Sequence, residues 1–262
     1  MVDLHAVAAA LHAAEQQRAP IDPPSERWSQ LTVDDAYRIQ MLNVQRRLGE
    51  GRVVRGHKVG LTSHAMQAML GVSEPDYGHL FDDMFVADGA SVSASRFCTP
   101  RVEPEVAFVL GRPLRGPDCR PEDVLAATEL VCPALEIIDS RVVDWRITLA
   151  DTIADNASSA AVVLGDERLP PGELDLRDID VSLTNNGETV AAGSTGAVLG
   201  DPTLAVAWLV NKLHEYGVQT EAEHVVLPGS CTSAVDVAAG DTVRAEFTGF
   251  ASVSVSFVEV PS

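Results

Sequence analysis

Three glutamates interrupt stretches that are otherwise apolar: Glu103 and Glu105 in Val102-Glu103-Pro104-Glu105-Val106-Ala107-Phe108-Val109-Leu110, and Glu136 in Pro133-Ala134-Leu135-Glu136-Ile137-Ile138. Residues two apart in an extended strand share a face, so Glu103 and Glu105 project together. An ionised carboxylate taken out of water is costly unless a cation compensates, and three gathered together repel one another. If the strands bring them together, a hard divalent ion is the natural counter-charge, because Mg2+ or Mn2+ favours carboxylate oxygens and water. No Cys/His cluster offers the softer donors that zinc prefers. Each glutamate alone has a plainer reading, a side chain turned to solvent from a one-sided sheet.

Lys58 lies in Arg55-Gly56-His57-Lys58-Val59-Gly60-Leu61-Thr62-Ser63, a strand-like run in which two glycines let backbone approach a ligand closely. An exposed edge lysine fits the same pattern. Asp76 follows Pro75 and reads by itself as a turn former. The segment Asp151-Thr152-Ile153-Ala154-Asp155-Asn156-Ala157-Ser158-Ser159-Ala160 is a polar loop entering an apolar strand; it suits either hydroxyl and amide donation to an anion or a helix cap. No G-x-S-x-G elbow or phosphate loop occurs, so an α/β serine hydrolase and a nucleotide-binding fold both lack their signature.

The elements that must hold these groups can be read from the pattern. Residues 4 to 18 form a helix stopped by Ala19-Pro20-Ile21-Asp22-Pro23-Pro24, and a second helix starts at Thr32, with Asp35 placed to reach back, and runs to Gly49. From residue 52 short apolar runs are cut by Gly, Pro and Asp, giving strands at 53–59, 102–110, 133–138, 160–164, 179–184, 224–227, 242–248 and 251–258. The last two alternate and predict a hairpin packed on a core. Further helices are expected at 121–131 and 202–215. The chain thus divides into a helical region, 1–50, and a sheet-rich domain, 51–262.

Composition narrows the partners. Among 262 residues, 38 Asp and Glu outnumber 19 Lys and Arg, a net charge of −19. Without a basic stripe, phosphate-tracking contacts to nucleic acid are excluded, and acidic membrane surfaces are disfavoured. No apolar run approaches the ~20 residues that cross a bilayer, and the Ala-rich start lacks a basic region, so the expected location is the cytoplasm. Cys98, Cys119, Cys132 and Cys231 show no C-x-x-C spacing and read as small core residues in a reducing compartment.

Taken in order, the segments GHKVGLTS, MLGVSEPDYGHLFDDM, PRVEPEVAFVL, PALEIIDSR, DTIADNASSA and LPGSCTSAVD resemble the 2-hydroxypenta-2,4-dienoate hydratases (2-keto-4-pentenoate hydratases) of the fumarylacetoacetate-hydrolase superfamily, from about residue 30 onward. The resemblance implies an α+β fold, a mixed β-roll or sandwich catalytic domain with an N-terminal helical part. It also implies a divalent metal, Mg2+ or Mn2+, at Glu103, Glu105 and Glu136, and a homo-oligomer. Lys58, Asp76 and Ser158 match positions lining the substrate site, with Lys58 and Asp76 in the catalytic roles, and Leu70 matches an apolar wall. The implied reaction adds water to a short 2-hydroxydienoate in the breakdown of aromatic or steroid rings, with a downstream aldolase or sister decarboxylase as a possible associate. Position 57 departs from the pattern: hydratases of the phenylpropionate pathway tend to carry Arg there, whereas the sister 4-oxalocrotonate decarboxylases share the GHK of this chain. Decarboxylation is therefore the alternative reaction. A non-catalytic partner subunit is the alternative of another class, and the presence of Lys58 beside three glutamates argues against it.

Overall fold

A computed structural model describes residues 2–63, 67–68 and 71–259. The chain opens with three helices, α1 (Leu4–Gln17), α2 (Pro24–Arg27) and α3 (Val33–Gly49). Asp3 caps α1, and Thr32 and Asp35 cap each other's backbone at the start of α3, so both starts follow from local chemistry visible in the sequence. Between them the segment 20–27 is a fixed strap. The Ile21 N–H donates to the Arg141 carbonyl at 2.9 Å, and both the N–H and the hydroxyl of Ser25 donate to the Asp151 carboxylate.

The remaining elements are β1 (Val54–Gly60), β2 (Asp76–Phe81), β3 (Phe85–Ala87), β4 (Ser91–Ser93), β5 (Pro100–Leu110), α4 (Pro121–Ala127), β6 (Thr128–Asp139), α5 (Leu149–Ala154), β7 (Ser159–Leu164), β8 (Asp180–Asn185), β9 (Glu188–Ser194), α6 (Pro202–Glu215), β10 (Val225–Leu227), β11 (Val235–Asp236), β12 (Thr242–Phe247) and β13 (Val253–Val258). One sheet runs β2-β1-β10-β5-β6-β7-β3, with β11 beside β5, and the other runs β4-β13-β12-β8-β9. The parallel pairs β1/β10 and β3/β7 stand among antiparallel ones, which makes the large sheet mixed. The expected hairpin is present as β12 and β13, whose Val243, Ala245, Phe247, Val253, Val255 and Phe257 are all buried. One continuous core joins these residues to Val106, Phe108, Leu135 and Ile137 of the large sheet and to Val7, Leu11, Tyr37 and Ile39 of the helices.

Two local expectations fail. The helix predicted over 121–131 stops at Ala127, because Thr128, Leu130 and Val131 pair with Leu110, Val109 and Phe108 and are drawn into β6. Asp76 does not form a turn; it opens β2 opposite Gly60. The four cysteines are free, and all but Cys98 are buried. No helix among the described residues is long and apolar enough to cross a membrane.

Candidate metal and substrate site

Alternation along the strands of the large sheet decides which side chains meet. Glu103 and Glu105 point to one face of β5, and Glu136 on β6 is the cross-strand partner of Glu103. A ligand oxygen from each of the three lies within 4.8 Å of the others, and no other trio of His, Cys, Asp or Glu among the described residues comes as close. Glu105 and Glu136 are wholly buried, whereas Glu103 is half-buried at the rim.

Lys58 reaches the same place from β1, with Nζ 3.3 Å from Glu136 Oε2 and donating to the Ala157 carbonyl at 2.9 Å. Asp76 approaches from β2 on the same side. Its neighbour across the ladder is Gly60, where a Cβ would collide with Asp76 Oδ1 and sit 3.5 Å from Lys58 Nζ. The lysine and the aspartate therefore converge over a residue that must lack a side chain. Ser158 comes last, in a turn whose three residues Asn156, Ala157 and Ser158 have φ of 55°, 50° and 54°, and its hydroxyl is buried without a partner.

Four carboxyl groups thus surround one ammonium, and the electrostatics show the deficit. Burial raises all three glutamates, Glu103 to about 7 and Glu105 well above the ordinary 4.5. Lys58 opposes the shift at Glu103 and Glu136, while Glu136 and Glu103 add to the shift at Glu105. Asp76 is raised by burial, against the pull of Lys58 and the Thr152 hydroxyl. Burial lowers Lys58, but Glu136 and Asp76 more than offset it, so it stays protonated. Glu105 Oε1 and both Glu136 oxygens are buried without a hydrogen-bond partner, the Lys58 contact being an ion pair without hydrogen-bond alignment. An all-oxygen, carboxylate-rich set with orphaned buried lone pairs fits a hard divalent cation. One oxygen is already committed: Glu105 Oε2 accepts the Gly229 N–H at 2.7 Å, which orients the carboxylate.

The geometry brings Lys58, Asp76, Glu103, Glu105 and Glu136 together, with Ser158 next in the chain to the Ala157 carbonyl that holds Lys58; Leu70 lies outside the described residues. His57 does not join them. Adjacent to Lys58 in the strand, it projects from the opposite face into a buried stack, its ring 4.9 Å from that of His79 and 5.9 Å from that of His224. Residue 57 therefore lies on the face away from the carboxylates. Sequence reading gave no specific role to Gly229, Asn156 or the buried Arg141–Asp155 pair, although each lies in a segment quoted above. Only the folded chain shows that the Gly229 amide faces Glu105.

Comparison with known proteins agrees with this arrangement. The 2-oxo-hept-4-ene-1,7-dioate hydratase of Escherichia coli is 45% identical over 98% of this chain and 100% of its own length. The 2-keto-4-pentenoate hydratase of Paraburkholderia xenovorans (strain LB400) is 42% identical over 95% of this chain and 93% of its own. The solved structure of 4-oxalocrotonate decarboxylase from Pseudomonas putida G7, complexed with magnesium and adipate, superposes with a TM-score of 0.94 at 38% identity, covering 97% of each chain. Residues 52–258 match the fumarylacetoacetate (FAA) hydrolase C-terminal family, and the chain belongs to that family.

Proposed function

We propose that the protein is a divalent-metal-dependent hydratase that converts 2-hydroxypenta-2,4-dienoate, or its hexadienoate homologue, into a 4-hydroxy-2-oxo acid. The observation that carries this reading is the convergence of Glu103, Glu105 and Glu136 with Lys58 and Asp76 on one sheet face, in a chain so similar to named hydratases. Glu103, Glu105 and Glu136 would hold Mg2+ or Mn2+; when bound, the ion supplies Lewis-acid polarisation of a 2-oxo acid.

The chain's own groups account for the rest. The dienol loses its hydroxyl proton and gains one at C5, giving a 2-oxo-3-enoate whose C4 is electrophilic. Lys58, fixed between Glu136 and the Ala157 carbonyl, places a permanent positive charge where negative charge develops on the C2 oxygen. Asp76, whose carboxylate burial makes more basic, takes the proton of the water whose oxygen bonds to C4, and return of that proton to C3 completes the addition of one water. The Ser158 hydroxyl, buried and unpartnered, is available to donate to a substrate oxygen. Leu70 is assigned to the apolar wall of the site by resemblance. No covalent bond to the enzyme forms.

Decarboxylation is the second reading, favoured by the near-complete superposition on a decarboxylase. One experiment separates the two. Purified protein with Mg2+ is incubated side by side with 2-hydroxypentadienoate and with a 2-oxo-enedioate, and products are identified by mass. Gain of water on the dienoate supports hydration; release of CO2 from the enedioate alone overturns it. The product is a substrate for aldol cleavage, so a downstream aldolase is the associate proposed here, along with self-association into a homo-oligomer, which light scattering tests.

A further inference from the structure

The turn Asn156–Ser158 places three successive non-glycine residues in the left-handed region, each at a cost on the order of 1–2 kcal/mol. Such a turn persists only if its surroundings over-determine it. Arg141 does so from beneath. Its Nε donates to Asp155 Oδ1 at 2.6 Å and its Nη2 to the Asp155 carbonyl, both at the entrance of the turn. Its Nη1 donates to the Ser159 carbonyl at 3.2 Å, at the exit, and to the Asp139 carbonyl at 2.6 Å. The Arg141 backbone N–H donates to Asp155 Oδ2 at 2.9 Å. Asn156 ties the apex to β2, accepting the His79 N–H at 2.8 Å and donating to the His79 carbonyl at 2.9 Å; a Cβ at Gly78 would collide with the Asn156 carbonyl.

The turn offers the Ala157 carbonyl, which accepts from Lys58 Nζ at 2.9 Å, and carries next to it the Ser158 hydroxyl, buried and with no partner among the described residues. A buried ion pair is weak as a source of stability, since desolvation offsets its attraction. Here both ends of a strained turn hang on one guanidinium, whose planar fork lysine cannot reproduce.

We propose that Arg141, paired with Asp155, is a positioning residue: it holds the left-handed turn so that the Ala157 carbonyl fixes Lys58 against Glu136 and Ser158 faces the substrate. The proposal rests on the hydratase reading for its kinetic test but not for its structural one. In Arg141→Lys the protein should still unfold cooperatively and keep its Mg2+-dependent thermal shift. KM should stay within about three-fold, while kcat falls at least about ten-fold, the scale of a displaced reacting group. Adding Ala157→Gly, which removes the steric penalty of φ near 50°, should restore kcat at least about three-fold in that background. A purely structural role would give neither the kcat-only loss nor the rescue.

Retained kcat in folded Arg141→Lys, parallel loss of kcat and the Mg2+ response, or no gain from Ala157→Gly would each overturn the proposal. If Arg141→Lys does not fold, Asp155→Asn is judged by the same criteria. If the wild-type protein hydrates no dienoate, the functional reading alone fails. The positioning claim is then decided by the crystal structure of the variant, where Lys58 Nζ must have left the Ala157 carbonyl; finding it still seated there overturns the claim.

Discussion

Replacing Glu103 by Gln should strengthen the fold when metal is chelated and weaken it relative to wild type when Mg2+ is saturating. Two carboxylate charges at the 4.8 Å outer limit of the trio repel by ~3.5 kcal/mol at an effective dielectric constant of about 20. The rise of Glu103 from 4.5 to about 7 corresponds to about 3 kcal/mol of penalty on its charged form. Glu103 is half-buried, so solvent screens part of this, and a gain of about 1–2 kcal/mol is expected from the neutral amide. For a chain of this length that is a Tm increase of roughly 2–8 °C. Saturating metal reverses the order, since ion at about a hundred times its Kd adds about 2.7 kcal/mol to wild type and much less to a variant short of one ligand. The assay is urea denaturation at about pH 8 in EDTA and in MgCl2.

The pH dependence follows from the sign of the same shift. A carboxyl whose folded value is raised carries its full penalty above about 7 and loses it as pH falls towards 4.5, so the advantage of Glu103→Gln in EDTA should fade between those values. If the variant is destabilised equally in EDTA and in Mg2+ at the higher pH, the trio is not a repelling cluster and the metal assignment falls with it.

Lys58→Met should lower kcat about a hundred- to thousand-fold while the chain still folds in Mg2+, as read by steady-state kinetics and circular dichroism. Gly60→Ala should cut kcat at least about ten-fold by forcing Asp76 and Lys58 apart, whereas Gly172→Ala, which meets open space, should leave it unchanged. His79 is lowered to about 4 by burial, so as pH falls from 6.5 the unfolded chain binds a proton that the folded one refuses. Wild type should therefore lose about 3 kcal/mol between pH 6.5 and 4 relative to His79→Gln, measured by denaturation across that range; parallel curves would refute the buried neutral imidazole.

Features governed by neighbours in the chain were the legible ones. Thr32 with Asp35 announces its helix because a cap is a contact between residues three apart, and Val243 to Phe257 announce a hairpin by alternation. The pairing of Glu103 with Glu136 was suggested by two acids in apolar runs, but their register is a property of β5 against β6. Thr128 to Val131 misled because their pairing with β5 overrode a helical start at Pro121. Asp76 after proline read by itself as a turn; the resemblance put it at the substrate site, and its place opposite Gly60 brings it beside Lys58. Arg141 and Asp155 stood in quoted segments, but their pairing gave no signal, since two charges fourteen residues apart read as solvated until burial joins them.

Because Glu103 and Glu136 are ladder neighbours on adjacent strands, their separation is dictated by the hydrogen-bond spacing of a sheet rather than by any connecting segment. The pairing of Glu103 with Glu136 is therefore insulated from change in the surrounding loops, whereas Lys58 also depends on the Asn156–Ser158 turn and Glu105 on the Gly229 amide. Insertions in the other loops can redraw which molecules enter and what happens to their far end while the glutamate pair keeps its dimensions, so divergence among such chains needs new ceilings, not new foundations.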